Sequence, residues 1–304
     1  YEALDFIMDL FIKEVNGMVL KTKLGDCEYD SKFSLSLISD EDRKRNLDWI
    51  PWGTCSINID VDLEKSVAHE RSGKTDLDEI SYDLCFQMTN RIYDYCIAFN
   101  IAYPGIFEFS DAEIKVNKQT MHLEDCISNV LLDAYLQSLE DKWPNIQALT
   151  ISKVWEWINT KTNFLSGFSN CSIERALNAF TYLFNTNNYE DLLYCLMGIE
   201  AILNSGDYSI TKQIKEKCEL LFGKNFKTKS IGNMYDIRSR FIHGQLDFPS
   251  KFTIYDLNLG YTKFLVDKYD VCRTTAVSIL LSLIQHFIKN DSNKLVTKTE
   301  ISFE

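Results

Sequence analysis

Only four prolines and twelve glycines stand in 304 residues, and most of those in the second half fall between apolar runs of helical period, not inside them. Chain breakers placed this way dictate helices of moderate length joined by short turns. Beyond residue 145 the helical segments read as 150–166, 172–185, 189–204, 209–222, 228–243 and 258–289, separated by Gly167, Asn187-Asn188, Gly206, Gly223 and Gly244. Ser172 and Asn188 precede acidic first turns and are expected N-caps. Gly206, Gly223 and Gly244 suit the left-handed position that closes a helix. Loops this short make successive helices antiparallel neighbours.

Before residue 145 the period changes. MVLKTK at 18–23, FSLSLI at 33–38, CSINIDVDL at 55–63 and IFEFSDAEIKV at 106–116 read as strands. A helix is expected over 76–101, where Ile80, Leu84, Met88, Ile92 and Tyr95 recur at helical spacing before Pro104-Gly105, and another over 124–142, ended by Pro144. The expected fold is mainly α: an α+β N-terminal domain over 1–145, then a helical bundle over 146–304. With 45% hydrophobic and 25% charged residues, collagen, general disorder and a disulfide miniprotein are excluded.

The net charge of −12 argues against a polyanion partner, until it is divided by position. Residues 1–150 hold 14 Lys+Arg against 28 Asp+Glu, a balance of −14, whereas residues 151–304 hold 18 against 16, a balance of +2. The nine cysteines are scattered without a CxxC, and several sit in apolar helical runs. Such thiols act as small hydrophobes and point to a reducing, cytoplasmic setting. The opening YEALDFIMDLFIKEV has carboxylates where a secretory leader needs bases, and no apolar run is expected to reach membrane-spanning length.

One helix carries candidate chemistry. In SIGNMYDIRSRFIHG at 230–244, Met234, Ile237, Phe241 and Ile242 form an apolar stripe, while Arg238, Arg240 and His243 crowd the last two turns. The bland reading is a basic C-terminus complementing the helix dipole. Its surroundings favour more. Between 205 and 245 the bases Lys212, Lys215, Lys217, Lys224, Lys227, Lys229, Arg238 and Arg240 face only four acids, Asp207, Glu216, Glu219 and Asp236.

Arg238 and His243 fit R-x4-H, and about 40 residues earlier EDLLYCLMGIEAIL is an apolar helix interrupted by Glu200. This combination resembles the HEPN superfamily of helical-bundle ribonucleases and nucleotide-binding proteins, in particular the ApeA-like HEPN group of bacterial defence and toxin-type proteins. The resemblance covers about residues 150–290. Asn90-Arg91 in MTNRIYDY is similar to a segment upstream in such proteins. The resemblance implies a metal-independent, cofactor-free endoribonuclease acting in a homodimer, with Arg238 and His243 catalytic and RNA as substrate. It also implies a role in anti-phage defence, with residues 1–145 regulating the enzyme or sensing a phage-derived trigger or partner. Supporting roles fall to Glu200, Asp236, Ser239 and Arg240, and RNA contacts to Lys224, Lys227 and Lys229.

The chemistry suits those residue types. A ribose 2′-hydroxyl must lose a proton as it attacks phosphorus and the 5′-oxygen must gain one, and an imidazole can serve either step near neutral pH. A guanidinium can hold the phosphate oxygens where charge builds up. The products would be a 2′,3′-cyclic phosphate and a 5′-hydroxyl. Five residues along a straight helix is about 140° of rotation and about 7.5 Å of rise, so the pair forms no tight site in one chain unless the helix unwinds at Gly244. The resemblance implies that a composite site in a homodimer resolves this. Ser239 departs from the polar Asn, Asp or His frequent after the motif arginine. Glu200 in an apolar helix needs a partner, Arg238 or Arg240, either as a structural ion pair or as a group that aims Arg238.

Other readings compete. His286 reads as a core-edge histidine, and His69 and His122 as loop residues without metal-ligand spacing, so no zinc site is expected. No GxxxxGK[ST], GxGxxG or GxSxG occurs. INIDVDLEKSVAHE reads as the wet face of a strand before a cation site, and KVWEWINTKTNFLSGF as core or dimer packing before base stacking. The alternative function is a catalytically inactive HEPN scaffold that dimerises and binds nucleotide or a protein partner, and a third is an antitoxin-like subunit. The acidic N-terminal half could also mask the basic patch.

Overall fold

Strict alternation builds the N-terminal sheet. In β2 (Cys27–Leu37), Tyr29, Ser31 and Phe33 point inward while Asp30, Lys32 and Ser34 face water. β2 pairs antiparallel with β1 (Val19–Leu24; Val19 opposite Lys32) and β3 (Cys55–Val61; Ser31 opposite Val61), giving the order β1-β2-β3. This computed structural model describes residues 2–24, 27–37, 55–61, 77–110, 112–116, 118–184, 190–206, 209–225, 229–246 and 260–296. In INIDV of β3, Asn58 and Asp60 are the exposed members. The rest of that acidic stretch, with His69, lies outside the described residues.

The chain is mainly α: 61% of the described residues are helical, in nine α-helices. They are α1 (Glu2–Val15), α2 (Leu77–Ala102), α3 (Asn129–Asp141), α4 (Ile151–Lys161), α5 (Ser172–Thr181), α6 (Asp191–Leu203), α7 (Ile210–Phe222), α8 (Ser230–Ile242) and α9 (Gly260–Lys289). α1 stands outside the elements expected from periodicity, although its buried Ile7, Phe11 and Val15 recur at helical spacing. Among the described residues the strand expected over 106–116 is confined to β4 (Glu113–Val116), which forms a hairpin with β5 (Gln119–His122), and to an isolated Phe109–Cys126 bridge upstream. His122 therefore lies in a strand, 3.7 Å from Glu113, and not in a loop.

The hydrophobic core runs without interruption across residue 145. Phe33 packs edge-on against Tyr95 of α2, Phe11 against Phe99, and the same cluster continues through Trp155, Phe180 and Ile199 to Leu283. Polar ties cross the same line. Glu14 of α1 accepts from Tyr103 Oη and from the Ile151 N–H at the start of α4, both at 2.6 Å. Gln285 of α9 donates to the Ile101 and Gln147 carbonyls and accepts from Gln147 N–H.

α9 is the hub of the C-terminal bundle, packing against α3, α5, α6 and α8. Its residues 276–285 are all buried, as expected of a helix that is apolar around most of its circumference. This corrects the expectation on membrane-spanning length: Lys268–Lys289 is long and apolar enough to cross a membrane, with a mean hydropathy of 1.5 in its most apolar 18-residue window, and 89% of that window is buried by the other elements. Gly198 lets α6 approach α9, because a Cβ there would lie 2.8 Å from Leu280 Cδ1. α5 starts at Ser172, so Cys171 and not Ser172 is its N-cap. The Asn188 cap falls outside the described residues.

Candidate functional site

α8 lies along the bundle with Ile231, Met234 and Ile237 buried. Phe241 is half-buried, but Ile242 is 60% exposed and does not belong to the apolar stripe. The helix stops as a Schellman turn: Gly244 at φ +64° donates to the Phe241 carbonyl at 3.1 Å, and Gln245 N–H to the Arg240 carbonyl at 2.8 Å. The left-handed glycine thus places His243 at the C-cap, with φ −87° and ψ 7°, as the last residue still held by a helical N–H bond, to Ser239 at 3.0 Å.

Arg238 is set from below. Its Nη1 lies 3.4 Å from Glu200 Oε1 of α6, the same oxygen that accepts from Tyr235 Oη at 2.9 Å. The guanidinium carbon also sits 5.7 Å from the centre of the Tyr235 ring, within cation–π range. The interruption in the apolar α6 is therefore partnered, by Arg238 and not Arg240. Burial, followed by the Glu200 charge and its hydrogen bond, holds the Tyr235 phenol above its ordinary value, so it stays a neutral donor. Sequence spacing alone does not single out Tyr235 as a site residue; its signal is the i, i+3 relation to Arg238, which places both on one helix face.

His243, Arg240, Ser239 and Asp236 are exposed, and their side chains make no hydrogen bond or ion pair among the described residues. No such contact joins Arg238 to His243 either. One is braced against the bundle and the other projects from the helix end.

The basic surroundings divide by role. Lys217 donates to the Leu203 carbonyl at 2.6 Å, closing the C-terminus of α6, and Lys212 pairs with Glu216 at 3.8 Å. Lys224 and Lys229 are exposed and stand before the N-terminus of α8. A helix of this length separates Lys229 from His243 by about 20 Å. Lys227 lies outside the described residues.

The remaining candidates are dispersed. His286 is half-buried on α9, and burial, then the nearby Lys289, lowers its basicity. Trp155 and Trp157 are buried and donate to the Lys21 and Ser292 carbonyls, whereas Phe168 is exposed. Among the described residues no group of three His, Cys, Asp or Glu side chains could hold a metal ion. Asn90 and Arg91 lie on α2, beside a cavity of about 480 Å³. No known family, curated protein or solved structure matches the chain.

Proposed function

We propose that the chain is a metal-independent endoribonuclease of the HEPN type, in which Arg238 binds the scissile phosphate and His243 transfers the proton. The observation that carries this reading is the contrast within one R-x4-H segment. Glu200 and Tyr235 hold a guanidinium in place, and five residues on an exposed imidazole stands where the helix is stopped by Gly244. A charge that must meet phosphate gains by being held in position before the substrate arrives, and a proton carrier must reach solvent and substrate. In this reading residues 146–304 are the HEPN-type bundle. The acidic, α+β residues 1–145 regulate it or sense a phage-derived trigger, and the protein acts in the cytoplasm, away from membranes, without a cofactor.

Since the two side chains do not meet within one chain, the reading requires a homodimer that sets His243 of one protomer near Arg238 of its partner across a two-fold axis. RNA would enter along Lys224, Lys227 and Lys229, with Asp236, Ser239 and Arg240 at its edge. The test is incubation of the purified protein with total RNA beside Arg238→Ala and His243→Ala, with and without EDTA. Cleavage by the wild type alone, unaffected by EDTA, with 2′,3′-cyclic phosphate ends, is the expected result. Equal cleavage by all three proteins refutes the assignment.

A second reading draws on the unbonded imidazole: with no partner fixing its tautomer in a single chain, and Ser239 supplying no charge, the bundle could serve as an inactive dimerising scaffold for nucleotide or protein. Absence of cleavage by a protein shown to be dimeric would favour it.

A further inference from the structure

The segment MTNRIYDY, away from α8, faces a cavity of about 480 Å³ where α2 meets the turn before α5. That volume lies within the range of sites for small organic molecules. Its floor is apolar and buried: Ile97, Cys126, Phe164 and Phe184. Its rim is open, because Asn90 and Gly167 are both exposed. Between floor and rim stand Arg91, Asp94 and Tyr93.

Arg91 is an unusual group to find there. Its Nη2 donates to the Leu165 carbonyl at 3.1 Å and its Nη1 lies 2.7 Å from Asp94 Oδ2. Nη1 is thus matched by the carboxylate as an ion pair, while Nε is buried without a hydrogen-bond acceptor. A buried guanidinium with one donor unmatched is costly, and native proteins retain such groups where something else completes them. Asn90 makes no polar contact among the described residues, and Asn178, opposite, uses its amide N–H on Ser169 at 2.6 Å while its oxygen has no donor. The cavity thus combines an apolar floor with rings from Tyr93, Phe164 and Phe184, one incompletely bonded cation, the unbonded amide of Asn90 and the unbonded oxygen of Asn178.

From this arrangement we propose that the cavity is a binding site for a small organic anion that carries a flat ring. The ring lies on the apolar floor and the anionic group is drawn to the Arg91 wall, with Asn90 and Asn178 supplying hydrogen bonds. Asp94 sets the affinity. Burial pushes its carboxyl up to about 7, against the opposing pull of Arg91, so near neutral pH the pair carries a fraction of a positive charge and not zero. The other titratable lining groups are Tyr93 and Cys126, and the residues contributed by α5 and the turn before it are uncharged. The site is distinct from Arg238 and His243, and its test involves no RNA.

The experiment is titration calorimetry of the full chain with adenosine 5′-monophosphate and benzoate as ring-bearing anions, adenosine as the neutral ring, and inorganic phosphate as the ringless anion. At least one ring-bearing anion is expected to bind below about 1 mM and at least about tenfold more tightly than adenosine or phosphate. Asn90→Trp, which fills the mouth from an exposed position, and Arg91→Gln should each weaken binding about tenfold or more. Should Arg91→Gln fail to fold, as a melting curve would show, Asn90→Trp alone decides. Binding should tighten about threefold or more from pH 8 to pH 6 in the wild type, and not in Asp94→Asn. No binding of either ring-bearing anion, binding unchanged by Asn90→Trp, or equal affinity for adenosine or phosphate overturns the proposal.

Discussion

Glu200→Gln separates a group that aims Arg238 from one that only holds two helices together. The substitution keeps the size and leaves Oε1 free to accept from Tyr235, so what is lost is charge. The ion pair to Arg238, at 3.4 Å with the two side chains 31% and 17% exposed, contributes about 0.2–1 kcal/mol. The Tyr235 hydrogen bond changes from a charged acceptor to a neutral one, which removes about 1 kcal/mol more. A total near 1–2 kcal/mol corresponds to a fall in Tm of about 2–6 °C. Positioning has a different scale: a guanidinium displaced by about 1 Å from its phosphate lowers turnover about 10- to 100-fold. The assay is RNA cleavage under single-turnover conditions beside thermal unfolding, and the expected pattern is a large fall in rate with little change in half-saturating RNA. If Glu200→Gln cleaves at the wild-type rate while Tm falls by about 2–6 °C, Glu200 is a structural ion pair and does not position Arg238.

Two further outcomes concern the scaffold. Buried Glu174 accepts from the backbone N–H groups of Asn163, Asn170 and Cys171. Burial alone would raise its carboxyl, but these donors outweigh it and hold it below its ordinary 4.5. Its contribution is therefore present above about pH 4.5 and is lost as pH falls through the lowered folded value. Glu174→Ala should cost about 3–6 kcal/mol at pH 7, read from urea midpoints, and distinctly less near pH 3. Gly198→Ala places a methyl 2.8 Å from Leu280 Cδ1 and should cost about 1–3 kcal/mol; an unchanged Tm would show that α9 yields freely there.

The helical half was largely legible because each helix announces its ends locally. The expected segments 209–222 and 228–243 match α7 and α8 to within about two residues, since Gly223 and Gly244 adopt positive φ that a side chain resists. Segments 150–166 and 172–185 are longer than the helices they contain, because apolar period continues through Phe164 and Phe184 after the backbone has left the α-helix. In the N-terminal half the β2 alternation was visible. The 106–116 run was not resolvable, since a strand needs a partner, and only Glu113–Val116 finds one in β5.

At the site, sequence supplied Arg238, His243 and the need of Glu200 for a cation. It did not choose between Arg238 and Arg240, because both lie within reach along one helix and only the rotation of α8 against α6 decides. Nor did it reveal Tyr235 as the second partner of Glu200, or that Lys217 closes the end of α6. Position and rotation between elements are long-range properties, and local spacing carries no record of them.

The sequence by itself determined the helical character, most of the breaks, the split of charge between −14 and +2, and the basic end of α8. These follow from backbone preference and composition, which act over a few residues. Tertiary structure alone decided that one core crosses residue 145, that the apolar Lys268–Lys289 is enclosed by other helices, and that Arg238 is braced while His243 projects. It also brought MTNRIYDY against the turn before α5 to enclose a cavity. Burial and pairing belong to surfaces that meet only after the chain has folded, and no stretch of residues contains both sides of a contact that spans the fold.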